Sequence, residues 1–184
     1  MLLGVMLLYV GAVLVVNGIW LLGQARAEAH PFFIQNREVA VLNLFTGFVG
    51  VAVAVTQMIQ GNSDEDLAQI RGAGFVLLFA FTYLWVALNN FLNAGGRAFG
   101  WYCLFVAITA VPAGIYTLSD ADGNDASIYL GIAWLAWSVL WFLFFLLLTL
   151  DRPIAKLTGA LAVLEGIATA WVFGFLLLEG ELAF

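Results

Sequence analysis

One cysteine, one histidine and one lysine stand among 184 residues. Cys103 has no second cysteine to pair with, and it lies inside an apolar run where burial suppresses the thiolate, which makes it a small packing residue. With His30 the only histidine, the chain has no His/Cys metal cluster and no Ser–His or Cys–His pair for nucleophilic catalysis. No glycine-rich phosphate loop with its lysine is present, and Lys156 lies outside the apolar runs, so it cannot serve as a mid-membrane Schiff base. Enzyme chemistry, cofactors and metals are therefore not expected. Charge is scarce as well, at 12 acids against six bases and a net −6, which argues against nucleic acid and against an anionic lipid surface as partners.

What is present is apolar. Hydrophobic residues make up 64% of the chain, where soluble domains have about half. Six runs can be drawn: Leu2 to Leu22, Val39 to Ile59, Gly74 to Leu92, Ala98 to Leu118, Ile128 to Leu150 and Leu157 to Leu178. Each is near the roughly 20 residues needed to cross a bilayer as a helix, which predicts an all-α integral membrane protein with one six-helix domain over 1–184. Met1 opens straight into the first run, with no base before it and no small-residue cleavage site after it, so the first helix is expected to be retained rather than cleaved.

Short connections make consecutive helices antiparallel neighbours. The first, third and fifth loops hold Arg26, Arg37, Arg97, Arg152 and Lys156, whereas the second holds Arg71 and the fourth no base. The positive-inside rule then faces the odd loops to the cytoplasm and both termini outward. A faint repeat, Leu44–Phe48, Leu104–Ile108 and Val163–Ile167, falls in the second, fourth and sixth runs and suggests three helical hairpins. Small residues such as Gly4, Gly11, Gly47, Gly50, Gly166 and Gly174 read as places where helix backbones approach closely.

The stretch Trp134–Trp141 carries indoles at 134, 137 and 141, a spacing of three and four that puts them on one helical stripe. Phe79, Tyr83, Trp137 and Trp141 fall midway along their runs, whereas aromatic belts sit at the two membrane surfaces. Helix packing would leave several indole N–H groups without partners in hydrocarbon, and a narrow solvated passage would supply them, which favours a pore lining. Glu165 is the one charged residue well inside a run, where an acid costs about 2.5–3.5 kcal/mol on insertion scales; it is either a functional group or a protonated acid tied to a neighbouring helix. An active transporter would show more intramembrane ionisable groups or matched broken helices, so a passive route for a neutral solute fits better.

Several ordered strings carry a resemblance: Leu8-Tyr9-Val10-Gly11 to Asn17-Gly18, Phe79 to Leu84, Trp101 to Ile108 with Val111-Pro112-Ala113, Trp134-Leu135-Ala136-Trp137 with Trp141, and Leu164 to Ile167 with Thr169-Ala170-Trp171. Together they resemble the UreI/AmiS family of bacterial urea channels and short-chain amide transporters, strongly in five helices and more weakly through Ala40-Val41-Leu42-Asn43 in the second. The resemblance implies a six-helix protomer with outward termini, assembled as a homohexamer in which every protomer holds its own pore. It also implies that Phe79, Tyr83, Trp137, Leu140 and Trp141, with Leu14, Asn17 and Glu165, line that pore, with Trp134 ranked below them. The permeant would be urea or a short-chain amide crossing the bacterial inner membrane, with a cytoplasmic urease or amidase as the consuming enzyme.

Two departures bear on this expectation. Acid-gated members carry long outer loops with histidines that titrate near pH 6, whereas here the outer loops hold carboxylates and His30 lies on the inner side, which predicts a channel not gated by mild acid. Cys103 and Thr109 stand where the family more usually has Ser and Asn, leaving open whether urea or an aliphatic amide is preferred. The rival expectation is a non-transporting scaffold or enzyme subunit whose aromatic stripe is a protein interface.

Overall fold

The computed structural model describes residues 2–24 and 26–184; the expectation placed on Met1 lies outside the described residues. Six helices follow one another: α1 Leu2–Gly23, α2 Asn36–Ser63, α3 Leu67–Leu92, α4 Arg97–Ser119, α5 Asp125–Leu148 and α6 Ala155–Leu178. Each is long and apolar enough to cross a membrane, and no strand occurs among the described residues. An even number of spans puts both chain ends on one face. The Asn124 side-chain amide, between α4 and α5, donates to the Ala183 carbonyl at 2.9 Å and ties the C-terminal tail there. We call this side the terminal face, and the side carrying the first, third and fifth connections the loop face.

Caps, and not hydropathy, set where α2, α3 and α5 begin. Asp66 accepts hydrogen bonds from the backbone N–H groups of Ala68 and Gln69, starting α3 at Leu67, seven positions before the apolar run. Arg71, expected in the second loop, is therefore on the second turn of α3. Gln35 and Glu38 form a capping box that starts α2 at Asn36, and Asn124 caps α5 through the Ser127 N–H.

The six helices close into a ring, each in contact with its chain neighbours and α6 with α1. Contact is most extensive between α2 and α3, between α4 and α5, and between the terminal pair α1 and α6. The three pairs are thus offset by one helix from the 1–2, 3–4, 5–6 hairpins that the repeat suggested, and the contacts between α3 and α4 and between α5 and α6 are slight.

Glycine spacing explains the terminal pair. On α1, Gly4, Gly11 and Gly18 recur every seven residues and so share one stripe; on α6 they meet Gly174, Gly166 and Gly159. A β-carbon at Gly18 would lie 2.5 Å from the Gly159 carbonyl oxygen, one at Gly4 3.1 Å from that of Gly174, and one at Gly166 3.1 Å from that of Gly11. Backbones at this separation leave no room for side chains, which is how helices gain packing energy in lipid, where no hydrophobic force drives them together. The α6 glycines are spaced seven and then eight, and the eighth residue would rotate Gly174 off the stripe. A π-helical stretch, Gly166–Trp171, lies inside that longer interval and absorbs the extra residue. Its irregular backbone finds partners. The Tyr129 hydroxyl donates to the Ala168 carbonyl, and the Thr169 hydroxyl donates to the Glu165 carbonyl at 2.6 Å.

Between α1 and α2 the fastening is polar. Asn17 and Asn43 exchange side-chain hydrogen bonds, 3.0 and 2.6 Å, and Asn43 also donates to the Val39 carbonyl. Both amides are buried, where a reciprocal pair satisfies them better than lipid could. Large apolar side chains such as Phe48, Ile108 and Leu164 are more than half exposed on the outside of the ring, the arrangement a lipid-facing or subunit-facing surface requires.

Candidate functional site

Two cavities enter the ring from opposite faces. The larger, about 730 Å³, opens near Leu2, Gln60 and Thr117 on the terminal face; the smaller, about 360 Å³, opens near Asn36, Asn93 and Gly96 on the loop face. Three residues line both: Leu14 of α1, Tyr83 of α3 and Trp141 of α5. They form the waist between the two, and each is at most 4% exposed.

The walls on the terminal side are aromatic. Phe75 and Phe79 sit one helical turn apart on α3, and Trp134, Trp137 and Trp141 sit at matching intervals on α5. Phe75 meets Trp134 edge-on at 5.0 Å between ring centroids. Phe79 then stands among all three indoles, at 5.1 Å from Trp134, 5.1 Å from Trp137 and 5.9 Å from Trp141. Such tilted and edge-to-face contacts stiffen a wall and hold the rings in fixed planes. Below the waist Trp141 continues the series to Phe144 at 5.6 Å.

The polar groups of the two cavities are mostly carboxamides. Gln57, Gln60 and Gln69 line the terminal side, and Asn17, Asn36, Asn89, Asn90 and Asn93 the loop side. A carboxamide offers donors and an acceptor without charge, so this lining solvates a solute of the same chemistry. At the waist the balance is different. The Tyr83 hydroxyl and the Trp141 indole N–H are buried and have no partner in the protein. Both are donors, and buried donors without partners cost about 1–3 kcal/mol each unless something in the passage accepts from them.

Seven of the eight residues expected to line a passage therefore meet one or both cavities: Leu14, Tyr83 and Trp141 at the waist, Phe79, Trp137 and Leu140 on the terminal side, and Asn17 on the loop side. Trp134 lines the terminal side too. Glu165 differs and lines neither cavity. At its depth α1 presses directly on α6, a β-carbon at Gly166 falling 2.8 Å from that of Leu14. The Glu165 side chain is 4% exposed and its Oε2 has no partner. Trp137 also departs from the argument that the indoles need a wet passage, because its N–H donates to the Thr169 hydroxyl at 2.8 Å. Of the two mid-helix indoles, only Trp141 carries that argument.

The glutamines, the loop-side asparagines other than Asn17, Arg71 and Phe75 were not expected as lining. A signal was available in the sequence: Gln57 and Gln60 are three apart near the end of α2, on one helical face, and Asn89, Asn90 and Asn93 cluster where the third apolar run ends.

A closed ring of apolar helices around two opposed cavities with a shared waist defines a multi-pass membrane transport protein. The comparisons with known proteins are specific. The profile of the AmiS/UreI family transporter matches residues 2–181. A Mycolicibacterium smegmatis protein assigned as a transporter of amidate substrates is 40% identical over 179 residues, covering 97% of this chain and 77% of the relative. The acid-activated urea channel of Helicobacter pylori is 37% identical over 193 residues, covering 95% and 96%. The crystal structure of the urea channel from H. pylori superposes with a TM-score of 0.85 at 34% identity, over 98% of this chain and 99% of that one. The chain belongs to the AmiS/UreI family of transporters.

Proposed function

We propose that this protein is a passive channel for urea and short-chain aliphatic amides, one six-helix pore domain per protomer, and that it acts without a cofactor or a chemical step. The observation that carries this reading is the waist, where the unpartnered Tyr83 hydroxyl and Trp141 indole N–H flank a passage walled by flat rings. Urea and acetamide are planar and neutral, and their carbonyl accepts what those two donors offer. Their faces fit between Phe79, Trp137 and Trp141 while Leu14 and Leu140 close the remaining sides. On the loop side Asn17, held by Asn43, keeps an oxygen lone pair and an N–H free to receive the solute's edge. Behind the wall the backbone carbonyl of Glu165 accepts from the Thr169 hydroxyl, which in turn accepts from Trp137, so this chain fixes one ring plane.

Few contacts, each weak, suit throughput, since a solute that binds tightly does not leave. An ion would shed its water in an apolar neck with nothing to replace it. The chain sits in the bacterial inner membrane with both termini outside the cytoplasm, as the bases of the odd loops indicate, and forms a homohexamer; a cytoplasmic urease or amidase consumes the solute. Stopped-flow light scattering on proteoliposomes is the test. Urea and acetamide should enter well above the protein-free rate while glycerol, bulkier and not planar, stays slow. No acceleration for any of the three in folded protein would sink the channel reading and return the aromatic wall to a scaffold's interface.

The flux should not depend on mild acid. Although a relative is an acid-activated urea channel, the only histidine here is on the loop face, in the connection before α2, with its Nε2 2.7 Å from Arg26 and its Nδ1 3.2 Å from the Phe32 N–H. The terminal face carries no imidazole to titrate near pH 6 among the described residues. Urea entry compared at pH 5 and pH 7.5 should agree, and a rise of about tenfold or more at pH 5 would refute this.

A further inference from the structure

The aromatic wall raises a selectivity problem that its shape does not solve. Ring faces that hold a flat neutral amide also attract flat cations, because the quadrupole presents negative charge on each face. Guanidinium is the sharpest case, since it is planar, close to urea in size and weakly hydrated. The acids Asp64, Glu65, Asp66, Asp120, Asp122 and Asp125 lie in or beside the connections of the terminal face and would draw cations toward that entrance.

Among the described residues one charged side chain lines the two cavities, and it is Arg71. It belongs to the terminal-face cavity. Its guanidinium carbon stands 5.6 Å from the Phe75 ring centroid, one turn further along α3, and 6.0 Å from that of Tyr116 on α4. Phe75 is the first ring of the series that continues through Trp134 and Phe79 to the waist. Arg71 therefore occupies the cation-binding position at the head of the aromatic wall. No carboxylate is paired with it, the ion pair found among the described residues being Arg97 with Asp151 on the opposite face.

We propose that Arg71 is a specificity-determining residue, a tethered guanidinium that keeps free planar cations off the aromatic wall while neutral amides pass. The inference rests on the channel reading. It uses two effects together: Arg71 fills the outermost ring-face site itself, and its charge repels a second cation approaching the next ring. Repulsion between like charges roughly 8 Å apart reduces occupancy by about twofold in bulk water and by about thirtyfold at the effective dielectric of a protein surface; about fivefold lies between, and salt screens it.

The experiment measures how much guanidinium halves urea entry. Membrane vesicles are selected by a C-terminal tag for the terminal face outward, and low-millimolar guanidinium chloride is added outside in low-salt buffer. The unmodified protein should tolerate it. In Arg71→Gln the halving concentration should fall by about fivefold or more, Arg71→Lys should stay near the unmodified value because the charge remains, and raising ionic strength should narrow the gap between Arg71→Gln and the unmodified protein, since salt screens the terminal-face acids in both alike. Arg71→Met removes the same charge and keeps an apolar stem, so it tests the proposal if Arg71→Gln does not insert. A halving concentration in a neutral variant equal to that of the unmodified protein, or a gap that does not narrow with salt, would overturn the assignment of Arg71 alone. Absence of urea entry before any guanidinium is added would instead overturn the channel reading and the inference with it.

Discussion

Replacing Gly11 by leucine is expected to leave no folded protein in the membrane, and even Gly11→Ala should destabilise by about 1–3 kcal/mol, as overpacking of a filled interior does. The β-carbon of an alanine there would lie 2.6 Å from both the backbone nitrogen and the β-carbon of Trp171 and 2.7 Å from its α-carbon. Two of these three atoms are backbone and cannot rotate aside, so α1 and α6 must separate. That separation pulls at once on the contacts of Gly4 with Gly174 and of Gly18 with Gly159. The π-helical stretch adds to the cost because Trp171 closes it, and a shift there strains the bond that Tyr129 makes to the Ala168 carbonyl and the one that Thr169 makes to the Glu165 carbonyl just before the stretch. Thermal unfolding in detergent is the measurement. Gly74→Ala is the matched control: a β-carbon there meets nothing within 4 Å, and alanine in a helix interior gains about 0.5–1 kcal/mol over glycine. If Gly11→Ala melted no lower than Gly74→Ala, the close approach of α1 and α6 would not be what holds the terminal pair.

What could be read from the sequence follows from what periodicity carries. Length and apolarity locate six spans, because the bilayer imposes both on any helix that crosses it. A spacing of three and four tells which side chains share a face, and so Trp134, Trp137 and Trp141 on α5 and Phe79 and Tyr83 on α3 could be grouped before any neighbour was known. Periodicity does not name the neighbour. The repeat suggested pairs beginning at α1, yet contact is fullest for α2 with α3 and α4 with α5, leaving α1 for α6. The glycines at 4, 11 and 18 and at 159, 166 and 174 contained that pairing, but the eight-residue interval obscures it until a π-helical turn is allowed. Glu165 shows the same limit from the other side. A charged residue at mid-depth was expected in the passage, whereas its side chain lines neither cavity. Arg71 was misplaced for a different reason: apolarity marks where lipid begins, while the Asp66 cap marks where the helix begins.

The waist carries the other large expected effect. Trp141→Ala should raise glycerol entry by about tenfold or more and bring the urea-to-glycerol ratio toward that of a wide pore. Trp141 is 4% exposed, lines both cavities and stands 5.9 Å from Phe79, so truncating it joins the two cavities into one wide passage. The same truncation removes packing and should cost about 3–5 kcal/mol of stability, so the variant must be shown to melt as a folded protein before its flux is read. Tyr83→Phe separates chemistry from width. It keeps the ring, which is 1% exposed, and deletes only the unpartnered hydroxyl, which makes no bond in the protein that could be lost. Because that oxygen holds nothing in the fold, no loss of stability is expected, and removal of a buried unsatisfied donor predicts a small gain. If the hydroxyl donates to a passing carbonyl, urea entry in Tyr83→Phe should fall by about three- to tenfold, the value of one hydrogen bond of 0.5–1.5 kcal/mol, while glycerol stays slow. A Tyr83→Phe protein with unmodified urea entry would show that the waist selects by width alone. A Trp141→Ala protein that still rejects glycerol would place the selective constriction elsewhere than at Leu14, Tyr83 and Trp141.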